Sequence, residues 1–352
     1  MRKFMTLAVL ANASIVMAWG PNGPKDDTIV EPQTPPNHEV TPSARGCLDL
    51  NGGKVSLDFL YWKASETDLY EATKLPTALT KTTLIEKWVR LHPDWDPGFR
   101  IGLGGNLPYD QWDIMAYYTY YYNHTENHRS TYADDQLAGF VPTLLAVRGF
   151  GIPKLEGRYR LHYNMLELEI GRDMFLSQRL SFRPLLGAAA TWINRKFSVR
   201  YAQTVDLNGN VVTPGKGATK IEYFGIGPKV GFNTNWWMSR QWKLFGNLQA
   251  AFLYGHLRNH LTSDQTINGE KQRTGDVHNS NDNMVPWLQA QAGIAWGKCL
   301  NQGKTYLSLS GAWEINYLWN MFINDTFSNT TTFNAESNLS LQGFTARLQI
   351  DF

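Results

Sequence analysis

Beyond residue 18 the chain has no long apolar run, and its mean hydropathy is slightly negative. No later segment offers the roughly 20 consecutive apolar residues that a membrane-spanning helix requires. Charge of one sign is also missing. A formal net charge of +2 over 352 residues argues neither for nucleic acid nor for strong electrostatic steering. The motifs of several chemistries are absent. No Gly-x-Ser-x-Gly nucleophile turn is present. Gly102-Leu103-Gly104-Gly105 opens no helix, so it is no phosphate loop. His124-Thr125-Glu126-Asn127-His128 places two histidines four apart but lacks the Glu directly after the first, so it reads as loop rather than metal pair. Nothing in the chain calls for a cofactor, a metal or a catalytic set, and the expectation is a protein that is not an enzyme.

What is present begins at the N-terminus. Met1-Arg2-Lys3 is followed by an apolar run to Ala18, ending in the small-residue segment Val16-Met17-Ala18. A basic start, a short apolar core and a small-residue end predict a signal peptide over residues 1–18, removed on export. No cysteine follows the expected cleavage point, which excludes a lipoprotein. Residues 19–53 are rich in Pro, Thr, Asn and charge, and are read as a Pro-rich periplasmic leader without a core of its own.

From residue 54 onward, apolar and polar residues alternate. The last segment is the clearest. Phe344, Ala346, Leu348, Ile350 and Phe352 fall on one face, and Thr345, Arg347, Gln349 and Asp351 on the other. Period two makes a strand with one oily and one wet face. A soluble sandwich alternates as well. The terminal aromatic on the oily face, in a chain that starts with an export signal, resembles the C-terminal signal by which outer-membrane barrels engage their insertion machinery. Phe344, Leu348, Ile350 and Phe352 would carry that signal.

Ten segments of this kind are expected: 54–64, 98–105, 110–122, 159–173, 180–197, 221–236, 242–255, 285–297, 305–319 and 341–352. The fourth changes phase near Met165-Leu166, which predicts a bulge. The connections alternate short and long, with short ones at 106–109, 174–179, 237–241 and 298–304. Barrels of this class have short periplasmic turns and long outer loops. The fold class is therefore an all-β transmembrane antiparallel β-barrel of about ten strands, with both termini periplasmic. The loop 123–158 contains Phe140-Val141-Pro142-Thr143-Leu144-Leu145, which could hide a further hairpin or a short plug, so a count of twelve stays open. Thirteen Trp and sixteen Tyr suit two interfacial girdles.

Lipid on the outside forces charge inward, so Lys54, Asp58, Lys243 and Glu314 are assigned to the lumen. Arg100, Asp113, Arg183, Lys229 and Arg347 are singled out as pore-lining candidates. Such charges either fill the lumen with salt bridges or ring a water-filled pore that selects ions. At about eight strands side chains fill the interior, so any ten-stranded pore is narrow. The two cysteines, Cys47 and Cys299, both fall on the periplasmic side; a disulfide is one reading and unpaired or intermolecular thiols the other. His256, His260, Asp264 and His278 lie near one rim, where a barrel hydrolase would need its set, but their spacing is unspecific and they read as solvated loop residues.

Three stretches carry a family likeness: Asp58-Phe59-Leu60-Tyr61-Trp62-Lys63-Ala64, Trp95-Asp96-Pro97-Gly98-Phe99-Arg100-Ile101-Gly102-Leu103-Gly104 and Asp110-Gln111-Trp112-Asp113. Gly225-Ile226-Gly227-Pro228-Lys229 and Trp236-Trp237 add to it. Together they resemble the Legionella-type pore-forming outer-membrane proteins, which are similar to the major-outer-membrane-protein-like porins of chlamydia-like bacteria. The resemblance implies a bacterial outer-membrane porin-like channel for passive diffusion of ions or small hydrophilic solutes. It supplies no catalytic residues. Its implied partners are outer-membrane lipid, the barrel-assembly machinery, small solutes or ions, and further copies of the chain; nucleic acid is not among them. The alternative is a structural or adhesive barrel with a plugged lumen, acting through long outer loops.

Overall fold

The computed structural model describes residues 52–67, 69–74, 87–107, 112–130, 140–142, 154–201, 204–205, 211–212, 214–267, 270–328 and 331–352. Ten long strands follow one another: β1 Gly53–Glu66, β2 Trp95–Asn106, β3 Trp112–Ser130, β4 Lys154–Arg172, β5 Leu180–Tyr201, β6 Gly215–Trp237, β7 Trp242–Ile267, β8 Glu270–Leu300, β9 Thr305–Ser328 and β10 Thr331–Asp351. Each pairs antiparallel with its neighbours in sequence, and β1 closes onto β10 from Lys54↔Asp351 to Glu66↔Leu339. The result is a closed ten-stranded barrel. Closure leaves no lipid-facing edge and satisfies every barrel strand through its neighbours, the condition for crossing a bilayer with strands. The twelve-strand count is excluded. Phe140–Pro142 instead joins Tyr70–Lys74 and Lys87–Arg90 in a separate three-stranded sheet. Residues 143–145, the rest of the expected plug, lie outside the described residues.

The outward faces match the expected alternation. Leu57, Phe59, Leu103, Leu186, Ile226, Val230, Phe252 and Leu309 are all exposed. Trp242 near one end of β7 and Tyr254 further along it bracket the oily band. At ~3.4 Å per residue and a tilt of ~45° they stand about 29 Å apart in height, close to the hydrocarbon thickness.

Two expectations need correction, and one physical cause accounts for both. The phase change at Met165-Leu166 is not a bulge. β4 pairs with β3 and β5 in continuous register through it. Odd-numbered residues point inward along the whole strand: Leu155, Tyr159, Leu161, Tyr163 and Met165 first, then Glu167 and Glu169. What flips is the chemistry of the surroundings. Where β4 touches lipid, the outside is oily and the inside polar. Beyond the bilayer the outside is water, so His162 and Arg160 face out and the oily residues turn in. The same inversion occurs on β6 between Tyr223 and Phe224, and on β7 past Tyr254.

The second correction concerns residues 256–284, expected as a long loop. They are mostly strand: β7 and β8 stay paired from Trp242↔Trp296 to Ile267↔Glu270. Likewise β9 and β10 remain paired up to Ser328↔Thr331, with a register shift between Leu318 and Phe322 where Asn320 takes a positive φ of 49°. Searching for an oily outward face misses these stems because that face is wet above the membrane.

A residue at the centre of the oily band tests the membrane placement. Leu248 lies midway between Trp242 and Tyr254. Leu248→Arg is expected to destabilise the barrel by about 2–4 kcal/mol and Trp242→Arg, at the interface, by about 0–1 kcal/mol, as read by urea unfolding in lipid vesicles.

Candidate functional site

The membrane-level interior is an interlocked ionic layer. Arg100 from β2 reaches across the barrel to Glu314 of β9, with Nη2 to Oε1 at 2.7 Å and Nη1 to Oε2 at 3.2 Å. This is the two-pronged geometry in which guanidinium matches carboxylate best. Glu314 also accepts from Asn316 at 3.1 Å, Gln291 at 3.2 Å and Thr345 at 2.9 Å. Asp58 of β1 accepts a second fork from Arg347 of β10, both bonds 2.8 Å, and a contact from Arg100 at 3.4 Å. On the opposite wall Lys229 donates to Glu167 at 2.6 Å and Glu169 at 3.0 Å. Arg183 joins Glu169 at 3.1 Å to Asp113 at 3.0 Å, and Lys54 completes the chain by donating to Asp113 at 2.9 Å.

All five pore-lining candidates therefore point inward, and the structure brings them into one layer. Lys54, Asp58 and Glu314 join them. Glu167 and Glu169 were not among the residues singled out. Their signal was in the sequence: each sits between outward Leu166, Leu168 and Ile170. In the interlocked set the carboxylates of Asp58, Asp113, Glu167, Glu169 and Glu314 match in number the cations of Lys54, Arg100, Arg183, Lys229 and Arg347. Glycines make room for it. A Cβ on Gly171 would stand 2.5 Å from the Arg183 guanidinium carbon, and one on Gly102 2.6 Å from the Tyr117 ring. Here the bare backbone permits a close approach.

Above the ionic layer the lumen is apolar. Trp62, Tyr121, Tyr163, Ile193, Leu253 and Trp287 belong to one buried cluster. Leu69 and Leu91, beside the small outer sheet, belong to the same cluster, so the β1–β2 connection contributes to the plug. A buried pair is set into it: Arg195 donates to Glu66 at 2.9 Å, and Tyr159 donates to the same carboxylate. Below the ionic layer a cavity of about 190 Å³ includes Lys54, Asp113, Arg183, Lys243 and Arg347 in its lining. It lies at the end where the strands' termini meet, and it stops at the ion pairs.

A standing aqueous pore would wet the side chains that line it. Instead Asp58 and Glu314 are 0% exposed, Lys229 1% and Arg195 0%. Among the described residues the lumen is shut at two successive levels, one ionic and one apolar.

At the rim, His256 pairs with Asp282 at 2.7 Å and His260 with Asp276 at 2.8 Å, while Asp264 accepts from Arg273 at 3.1 Å. These groups lie on the stem of β7 and β8, where His260 and His278 line a half-open pocket with Lys220, Glu222 and Arg258. Cys299 is disulfide-bonded and stands near the end of β8. Cys47 lies outside the described residues, so its pairing with Cys299 is a proposal. Thiol labelling of the unfolded, unreduced chain is expected to modify neither cysteine; labelling of both would refute an intramolecular bridge.

A closed antiparallel barrel with an oily belt, two aromatic borders and its charges inside is an integral outer-membrane barrel. The family model described as Legionella pneumophila major outer membrane protein precursor matches residues 50–352, and the chain belongs to that family. No curated protein matches it. Among solved structures it is similar to the outer membrane protease OmpT from Escherichia coli, at 10% identity and a TM-score of 0.39, covering 87% of this chain and 99% of that one. The CymD monoaromatic hydrocarbon channel follows at 7% identity and 0.31, covering 86% and 89%. A Pseudomonas aeruginosa FadL homologue gives 6% identity and 0.28, covering 86% and 90%. Scores this low carry no argument, and the barrel rests on its own strand pairing.

Removing one partner of the Arg100–Glu314 pair leaves a buried charge uncompensated. Glu314→Leu is expected to cost about 3–5 kcal/mol in urea unfolding. The double variant Arg100→Met with Glu314→Leu is expected to recover most of that loss.

Proposed function

We propose that this protein is a channel-type barrel of the bacterial outer membrane that is shut at rest. Ions or small hydrophilic solutes would pass only when the ionic layer and the apolar plug above it rearrange. The observation that carries this reading is the near-zero exposure of Asp58, Glu314 and Lys229 inside the lumen. A general-diffusion porin keeps a standing water column; here the charges of the ionic layer are held by partners of opposite sign. The periplasmic cavity, lined by Lys54, Asp113, Arg183 and Arg347, supports entry of hydrated ions as far as that layer.

The reading assigns no catalysis. The rim Asp–His pairs face solvent on the stem of β7 and β8. It keeps an N-terminal signal peptide over residues 1–18. It also keeps delivery by the assembly machinery through β10, whose Phe344, Leu348, Ile350 and Phe352 stand exposed in one outward row. The outward row and the balanced interior are compatible with assembly into oligomers. A second reading, a plugged surface barrel acting through its outer stems, is favoured by the height of the β7–β8 hairpin.

Single-channel recording of the folded protein in a planar bilayer separates these readings. Folding is verified beforehand by a heat-dependent gel shift. The wild type is expected to show no standing conductance at low voltage, and Glu314→Gln together with Lys229→Gln to show discrete steps. Steady stepwise conductance in the wild type would make it an open porin. Silence in both would favour the surface-barrel reading.

A further inference from the structure

The tall β7–β8 hairpin brings together residues that neither the lumen nor the membrane belt uses. His260 and His278 are directly paired across the two strands, and their rings stack with centroids 3.9 Å apart. Asp276, two residues before His278 on the same face, directs one oxygen at both. Its Oδ1 lies 2.8 Å from His260 Nε2 and 3.1 Å from His278 Nε2. The ligand atoms of all three residues lie within 4.8 Å of one another. Oδ2 of the same carboxylate is held by Arg273 at 3.0 Å, which fixes its orientation and leaves Oδ1 toward the imidazoles.

We propose that His260, His278 and Asp276 form a binding site for a divalent transition-metal ion, zinc being the natural occupant, on the outer stem of the barrel. Two imidazole nitrogens and a carboxylate oxygen are borderline donors, suited to zinc, copper or nickel and poorly suited to calcium or magnesium. Three protein ligands leave a fourth tetrahedral position to solvent.

The position gives the ion a structural consequence. β8 is hydrogen-bonded to β9 from Trp287 onward. From Glu270 to Pro286 its partner among the described pairings is β7 alone. An ion bound by ligands from both strands staples this exposed edge. The proposal stands apart from the reading of the lumen: a conducting or a silent barrel could equally carry the site.

The test uses the whole folded protein without a histidine tag, titrated with zinc chloride in a calorimeter and then challenged with protease. One site of micromolar affinity or tighter is expected, with cleavage between β7 and β8 slowed by zinc. His260→Ala with His278→Ala should weaken binding at least tenfold and abolish the protection, while the gel shift confirms folding. His256→Ala, whose ring pairs with Asp282, should bind as the wild type does. No binding by the wild type would overturn the proposal. So would unchanged binding by the double variant, or loss only on His128→Ala, which would move the site to the cluster of Glu126, His128 and Glu156.

Discussion

The bilayer cannot hydrogen-bond a backbone, and most of this structure follows from that. Strands can cross hydrocarbon only if the sheet closes, because an edge would leave unpaired N–H and C=O groups in lipid. β10 pairing back onto β1 is that closure. Once the sheet closes, each strand has one face in lipid and one in the lumen. Lipid excludes charge, so charges within the spanning region collect inside. Ten strands enclose too little space for them to stay hydrated separately, and they pair. The shut lumen is thus a consequence of strand count and charge placement together.

Pairing carries its own conditions. Burying carboxylates and guanidinium groups is costly, and the attraction between them offsets that cost only where geometry and hydrogen bonding are good. Glu314 shows how the interior meets this demand: a forked Arg100, two glutamine and asparagine side chains and a threonine hydroxyl converge on one carboxylate. Arg347 and Asp58 repeat the fork on neighbouring strands. Such a layer is stable while intact and costly to disturb in part.

The same strands serve two solvents in succession. Within the bilayer β4 presents Leu166, Leu168 and Ile170 outward and Glu167 and Glu169 inward. Beyond it the strand presents Arg160 and His162 outward and Leu161 and Tyr163 inward. The backbone period does not change; the environment does. The lower barrel is therefore a membrane protein with a polar interior, and the upper barrel resembles a soluble one with an apolar core. The hairpin of β7 and β8 extends this second regime furthest, which is why its histidines and carboxylates are displayed to water.

The ten strands, their outward residues and the inward aim of Arg100, Asp113, Arg183, Lys229 and Arg347 were legible in the amino-acid order. Lipid imposes its preference residue by residue along each strand, so a period of two suffices to read them. The stems of β7 and β8 were not read, because alternation inverts outside the bilayer. The same inversion imitates a bulge in β4, and Glu167 and Glu169 beyond it were not singled out. Only the closed barrel decided that Arg100 meets Glu314 and that Lys229 meets Glu167. Only the register of the β7–β8 hairpin set His260 against His278, and only closure showed that the lumen is filled rather than open. The partners of the ionic layer lie far apart in the chain, and register around the ring brings them together.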